Sequence, residues 1–310
     1  MTSSDEASEP LVHIKNFKMD FGDKTVIRDL SFDVRAGETF GFLGSNGSGK
    51  TTTLRALLGI HRPTGGVLHI GGRNFEPRDG SRLGYLPEER GLYKKEKVLD
   101  VMVYFGRLKG LAKTHARAWS LNYLERVGLT DKAAVRLDKL SSGQQQKIQL
   151  GVTIMNNPEL LILDEPTKGF DPVNRRLLMD IIEENKEAGA TVIMVTHQME
   201  EVERLCDRVI LLKDGVSRAY GTVEEVQEQF GGTTYRVAYK GTLPRSRLYD
   251  LIHEGNGHAE LSPRPGADEA TVLEELVRAG VAVRSFTTAR VSLDEIFVQV
   301  YGEQHEIAEV

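Results

Sequence analysis

ETFGFLGSNGSGKTTTLRALLGI, residues 38 to 60, decides the fold. Its first residues read as a short apolar strand, and KTTTLRALLGI as a helix with apolar periodicity. Between them, Gly44-Ser45-Asn46-Gly47-Ser48-Gly49-Lys50-Thr51-Thr52 follows the spacing glycine, four residues, glycine, lysine, Ser/Thr. Glycines at 44, 47 and 49 let the backbone curl so that its N–H groups face phosphates. Lys50 can reach the β- and γ-phosphates, and the Thr51 hydroxyl can hold Mg²⁺. A glycine-rich turn without a ligand would share the composition. A strand before the loop and a helix after it form the context that phosphate binding requires, so the stretch predicts a nucleoside triphosphate site.

Two further apolar strands end in groups suited to that site. LLILDEP, residues 160–166, carries Asp164 and Glu165 to the C-terminal edge of a parallel sheet, where such folds bind ligands. Asp164 suits the Mg²⁺ shell, and Glu165 suits polarising an attacking water. Alone, an acidic strand end before a turn at Pro166 would read the same way. TVIMVTHQ, residues 191–198, ends in His197, which could reach a γ-phosphate if its strand lies beside the Asp164 strand. A lone histidine at a strand end is more often a surface or capping residue.

Strands alternate with helices along most of the chain, which predicts an α/β fold with a mostly parallel sheet. LVHIKNFKMDFG and TVIRDLSFDVRAG alternate apolar and polar residues, as in an antiparallel β subdomain. A helical insert occupies about 97–156, a helix runs from about 173 to 188, and a short one covers 198–205. The expected organisation is a disordered lead at 1–10, a nucleotide-binding domain at 11–221, and a small α+β domain at 232–302. In that last domain LSPRPGADEA reads as a loose loop. The formal net charge of −5 leaves no basic excess for neutralising phosphates, so nucleic acid is not the expected partner. No apolar run reaches the ~20 residues of a membrane-spanning helix. One cysteine, Cys206, excludes an internal disulfide and fits a reducing compartment.

LSSGQQQKIQLG, residues 140–151, is a second phosphate-directed element: hydroxyls able to cap a helix, then apolar positions at 148, 150, 152, 154 and 155. Taken in order, these motifs resemble the ATP-binding cassette (ABC) ATPases, and the resemblance covers about residues 11–220. It implies a P-loop NTPase core with ATP and Mg²⁺ as ligands. It makes Glu165, His197 and Lys50 the catalytic set, and Thr51, Asp164 and Glu88 the metal-facing groups. Phe21 matches the adenine-stacking aromatic, and GYLPEERGLY the family's glutamine loop, with Glu88 in place of glutamine. Asp171 in KGFD matches the D-loop acid. Ser141, Ser142, Gly143 and Gln144 match the signature motif, with Ser142 in place of its first glycine.

The resemblance also implies partners. In the family two cassettes associate head to tail, and each signature closes over the ATP of the other chain. LPEERGLY, KGFD and the tail VSLDEIFVQV resemble a subgroup of bacterial exporters that includes sodium and antibiotic efflux systems. It implies a separate multi-spanning permease and a cytoplasmic chain held at the inner face of the cell membrane. The alternative is a soluble ABC ATPase acting on ribosomes or nucleic acid, although such proteins carry two cassettes or long coiled-coil insertions.

Overall fold

The structure is a computed structural model that describes residues 10–89, 91–230 and 233–302, so the expected disordered lead lies outside the described residues except for Pro10. The chain divides into two compact units, Met1–Gly221 and Thr222–Val310.

The first unit opens with β1 (Val12–Phe21) and β2 (Lys24–Val34), paired antiparallel from Val12↔Val34 to Phe21↔Lys24. Their alternation buries Val12, Ile14, Phe17 and Met19 against Ile27, Leu30, Phe32 and Val34. Next come β3 (Thr39–Leu43), α1 (Lys50–Leu57), β4 (Gly65–Ile70) and β5 (Leu83–Leu86). Three helices follow: α2 (Val98–Leu108), α3 (Lys113–Arg126) and α4 (Ser142–Ile154). The remainder is β6 (Leu160–Asp164), α5 (Pro172–Glu187), β7 (Thr191–Val195), α6 (Met199–Leu205), β8 (Arg208–Lys213) and β9 (Val216–Thr222).

All nine strands join one sheet, in the order β4-β1-β2-β9-β8-β3-β7-β6-β5. The β3–β8, β3–β7, β6–β7 and β5–β6 pairs are parallel. Every residue of β3, β6 and β7 is buried, as strands covered on both faces must be. Gly41 lies at a close approach in this layer: a Cβ there would meet Val209 Cγ1 at 2.9 Å and Cys206 Sγ at 3.1 Å. The sequence reading did not anticipate β5 or β9 as strands.

The second unit comprises α7 (Val223–Phe230), β10 (Thr233–Lys240), β11 (Tyr249–Gly255), β12 (His258–Pro263), α8 (Glu269–Arg278), β13 (Ala282–Arg290) and α9 (Leu293–Gly302). Its antiparallel sheet runs β11-β12-β10-β13, and Val272 and Leu276 of α8 complete a core with Tyr235, Val237, Tyr249 and Leu261. The loose loop expected at LSPRPGADEA is corrected here. Leu261 pairs with Tyr235, Ser262 with Asp250 and Pro263 with Tyr249 within β12. Asp268 caps α8 by accepting from the Thr271 N–H at 2.8 Å. The polar composition hid both ends of the segment, because only alternate residues of β12 face the core.

In the helical insert, α4 meets α3 at Gly151. A Cβ on Gly151 would stand well inside van der Waals contact with the Tyr123 ring, which is buried and stacked on Trp119. The Tyr123 hydroxyl donates to the Lys147 carbonyl at 2.8 Å, so the ring cannot retreat without losing that bond. Gly→Ala inside a helix would by itself stabilise by up to about 1 kcal/mol. Overpacking costs roughly 1–3 kcal/mol and wins here. Gly151→Ala is therefore expected to lower the thermal midpoint, and an unchanged or raised midpoint would refute the close packing.

Candidate functional site

The phosphate loop is built from conformations that its glycines permit. Gly47 and Gly49 have φ of 80° and 111°, a region that side chains avoid. Gly44 leaves no room for a Cβ, which would meet Ser48 Oγ at 2.5 Å and the Leu212 carbonyl at 2.6 Å. Asn46 and Gly47 face solvent, while Ser48 and Gly49 are buried and Ser45, Lys50, Thr51 and Thr52 are half-buried. Lys50 Nζ donates to the carbonyls of Gly44 at 2.6 Å and Ser45 at 3.0 Å, bending the ammonium back over the loop. Ser48 Oγ is buried without a hydrogen-bond partner. An orphaned hydroxyl inside a curl of backbone N–H groups fits a phosphate oxygen.

The carboxylates stand at the end of β6, where Asp164 pairs with Val195 of β7, as the His197 expectation required. Asp164 is 3% exposed. Burial, and then the negative charges of Glu88 and Glu165, push its carboxyl up to about 6, with Lys50 and Arg55 pulling the other way. Burial pulls Lys50 below the usual lysine range, while Glu165, Asp164 and Glu88 oppose that shift. Glu165 has φ of 51°, left-handed for a residue with a side chain, although its N–H still bonds the Val195 carbonyl at 2.8 Å. Such backbone costs roughly 1–3 kcal/mol and persists only where its surroundings hold it. Its effect here is directional: the Glu165 carboxylate meets His197 Nδ1 at 2.8 Å.

Glu88 does not stand as an isolated charge. Its Oε1 accepts from Lys168 Nζ at 2.6 Å, which holds the lysine above its ordinary range. The charge that Glu88 adds where the family carries glutamine is met by a cation from the loop after β6. Sequence reading missed Lys168, because nothing links residues 80 positions apart before the strands align. Phe21, at the end of β1, is 46% exposed, and its ring stands edge-on to His61 at 5.3 Å. An exposed ring of that kind can take an adenine face, and His61 joins it unanticipated.

The signature residues open α4 as a capped helix. The Gln144 N–H donates to Ser141 Oγ at 3.3 Å, and the Ser141 N–H donates to Gln144 Oε1 at 3.0 Å, a reciprocal capping box. Behind this turn, a Cβ on Gly143 would lie 3.2 Å from the Phe170 ring. Ser142 is exposed. Asp171 caps α5, accepting from the N–H groups of Val173 and Asn174, both at 3.0 Å. Those bonds hold its carboxyl below the usual range. Among the described residues, no group of three or more His, Cys, Asp or Glu side chains could hold a metal ion. The donors on offer are the hard oxygens of Asp164, Glu88 and Thr51, which suit Mg²⁺ shared with phosphates.

The raised carboxyl of Asp164 has a consequence for stability. Its folded value is near 6 against an ordinary 3.8, so ionising it opposes folding. The penalty is absent below about pH 4, grows from there, and is complete above pH 6. Asp164→Asn is expected to raise the stability of the nucleotide-free protein at pH 8 by roughly 3 kcal/mol at most. That gain should fade as the pH falls toward 4. Thermal melts of both proteins from pH 4 to 8 check this, and a gain that does not shrink with acid would refute it.

Comparison with known proteins agrees with this geometry. Residues 27–168 match the family described as ABC transporter, and residues 221–301 match the one described as ATP-binding protein DrrA1-3-like, C-terminal domain. An uncharacterized ABC transporter ATP-binding protein of Methanocaldococcus jannaschii is 47% identical over 219 residues, covering 70% of this chain and 80% of its own. The linearmycin resistance ATP-binding protein LnrL of Bacillus subtilis is 35% identical over 72% of this chain and 73% of its own. The Nod factor export ATP-binding protein I of Bradyrhizobium diazoefficiens is 33% identical over 96% and 99%. A solved ATP binding subunit of an ABC transporter superposes with a TM-score of 0.67 at 27% identity, over 71% of this chain and 93% of its own. The chain belongs to the ATP-binding proteins of ABC transporters, subunits that hydrolyse ATP.

Proposed function

We propose that this chain works as a head-to-tail pair of copies that hydrolyse Mg²⁺-ATP to drive a separate multi-spanning permease from the inner face of the cell membrane. The direction proposed is export, the activity named for the Nod factor relative. Among the described residues no helix is long and apolar enough to cross a membrane, so on this reading the permease supplies the membrane passage.

The observation that carries the chemistry is the 2.8 Å contact between Glu165 and His197 at the ends of adjacent strands. Lys50 leaves the Gly44 and Ser45 carbonyls for the β- and γ-phosphates, and Ser48 Oγ gains a phosphate partner. Thr51, Asp164 and Glu88 would hold Mg²⁺, which would supply positive charge against the phosphates. Glu165 orients and accepts a proton from the attacking water. His197 fixes that carboxylate and reaches the γ-phosphate, and Phe21 carries the adenine. Ser141, Ser142, Gly143 and Gln144 close over the γ-phosphate of the other copy, beside its Asp171 loop. The second unit is a regulatory or dimer-stabilising module on this reading.

The proposed permease contact lies on α2. Tyr93, Glu96, Asp100, Val101 and Tyr104 line a surface cavity of about 420 Å³, and both tyrosines are exposed. An aromatic floor with an acidic rim fits a permease segment carrying apolar residues and a basic one. Val101 is buried at the base of that cavity, whereas Val98 and Met102 belong to the core and Phe105 is half-buried.

Three expectations follow from this reading. Glu165→Gln should bind ATP normally, turn over about 10²–10⁴-fold more slowly, and collect as an ATP-bound dimer in size-exclusion chromatography. Near-normal turnover would sink the assignment. Lys50→Ala and Gly143→Asp should each abolish hydrolysis alone, whereas a mixture should regain activity, because one composite site pairs an intact loop with an intact signature. No recovery on mixing would place the signature in service of its own chain. Tyr104→Ala together with Asp100→Lys should leave ATP binding intact and weaken co-purification with the permease. Undiminished co-purification would remove α2 from the interface.

A further inference from the structure

Glu201, on α6, is 1% exposed and has no part in the steps above. Its Oε1 accepts from Thr167 Oγ1 at 2.5 Å, and its Oε2 from Thr196 Oγ1 at 3.4 Å. Thr196 Oγ1 in turn accepts from the Gln198 N–H at 3.0 Å. Arg175 Nε, on α5, stands 3.7 Å from Oε1 and is buried without a hydrogen-bond partner. Burial pushes the Glu201 carboxyl above its ordinary value, with the Thr167 bond and Arg175 opposing.

Burying a carboxylate is expensive even when it is bonded, and an apolar residue would fill the same place without that penalty. What the carboxylate adds is a bridge. Thr167 lies two residues after Glu165, and Thr196 immediately precedes His197. The two oxygens of one buried group therefore hold the loop after β6 and the loop after β7 in one relative placement, with α5 behind them. Glu165 and His197 meet at 2.8 Å across the same two loops, on their exposed side.

We infer that Glu201 is a positioning residue for hydrolysis: by bridging Thr167 and Thr196 it sets the placement of Glu165 against His197. The inference rests on the roles proposed above for Glu165 and His197. Misplacement of reacting groups by about 1 Å can cost up to about 10²-fold in rate. A glutamine at 201 keeps the shape but can accept well from only one of the two hydroxyls.

The test uses the full-length protein and two variants that reach the bridge from opposite sides, Glu201→Gln and Thr167→Val. Each is expected to lower kcat about 10-fold while ATP affinity stays within about twofold of the parent. In a His197→Ala background, Glu201→Gln should cost nothing further, because the group through which it acts is gone. The NMR shifts of the His197 ring nitrogens should move in both variants, a readout independent of turnover. Unchanged kcat and unmoved ring shifts, with only a lower melting temperature, would overturn the inference and leave Glu201 a stabilising group. A fully additive loss in the His197→Ala background would overturn it as well. If His197→Ala alone turns over normally, the catalytic role of His197 fails, and the ring shifts still decide whether Glu201 sets its position.

Discussion

The ends of three buried strands are level, and the nucleotide edge depends on that alignment. Phe42 of β3 pairs with Val195 of β7, and Val195 pairs with Asp164 of β6. The phosphate loop, the carboxylate pair and the histidine therefore leave the sheet at one height, beyond the carboxyl ends of parallel strands where such sheets hold ligands. A slip of one residue in β6 would turn Asp164 to the opposite face and break the geometry. Full burial on both faces makes such a slip costly. The ladder continues one bond past the strand, from the Glu165 N–H to the Val195 carbonyl, while the backbone of Glu165 turns left-handed. That turn brings the Glu165 carboxylate to His197 Nδ1, while Asp164 stays buried at the strand end.

Charge at this edge is out of balance in the free protein. Asp164 feels the negative charges of Glu88 and Glu165, against which stand Lys50 and Lys168. An arrangement that stabilised the free fold best would have fewer carboxylates there. Instead the site stores repulsion and backbone strain that a bound cation and phosphates can relieve. On the role proposed for Asp164, function and stability oppose one another there, as they commonly do where a fold must receive a charged ligand.

Much of this was legible in the sequence. The phosphate loop, the apolar strands ending at Asp164 and His197, and the capped helix at Ser141 are local patterns, and local patterns survive into the fold. Two strands escaped notice for identifiable reasons. Four-residue β5 is too short for periodicity, and β9 mixes Ser217 and Arg218 into a sheet position flanked by β2 and β8. Pairings across the chain could not be read at all: Glu88 with Lys168, Phe21 with His61, Gly143 with Phe170. Glu201 shows the limit most plainly. In α6 the apolar stripe is Met199, Val202 and Leu205, and Glu201 and Glu203 flank it at equal helical angles on opposite sides. Only the assembled loops decide that Glu201 turns inward.

The lone thiol of the chain is buried where the end of α6 packs on β3. Cys206 Sγ lies 3.1 Å from where a Cβ on Gly41 would stand, and burial pushes its ionisation far above the ordinary range. Since the thiolate is the reactive species, Cys206 is expected to react slowly with alkylating reagents while the fold is intact. A cysteine installed on an exposed loop is then expected to label well ahead of Cys206. That slowness is conditional on the fold, so accessibility of Cys206 to a maleimide measures opening of the β3 layer itself.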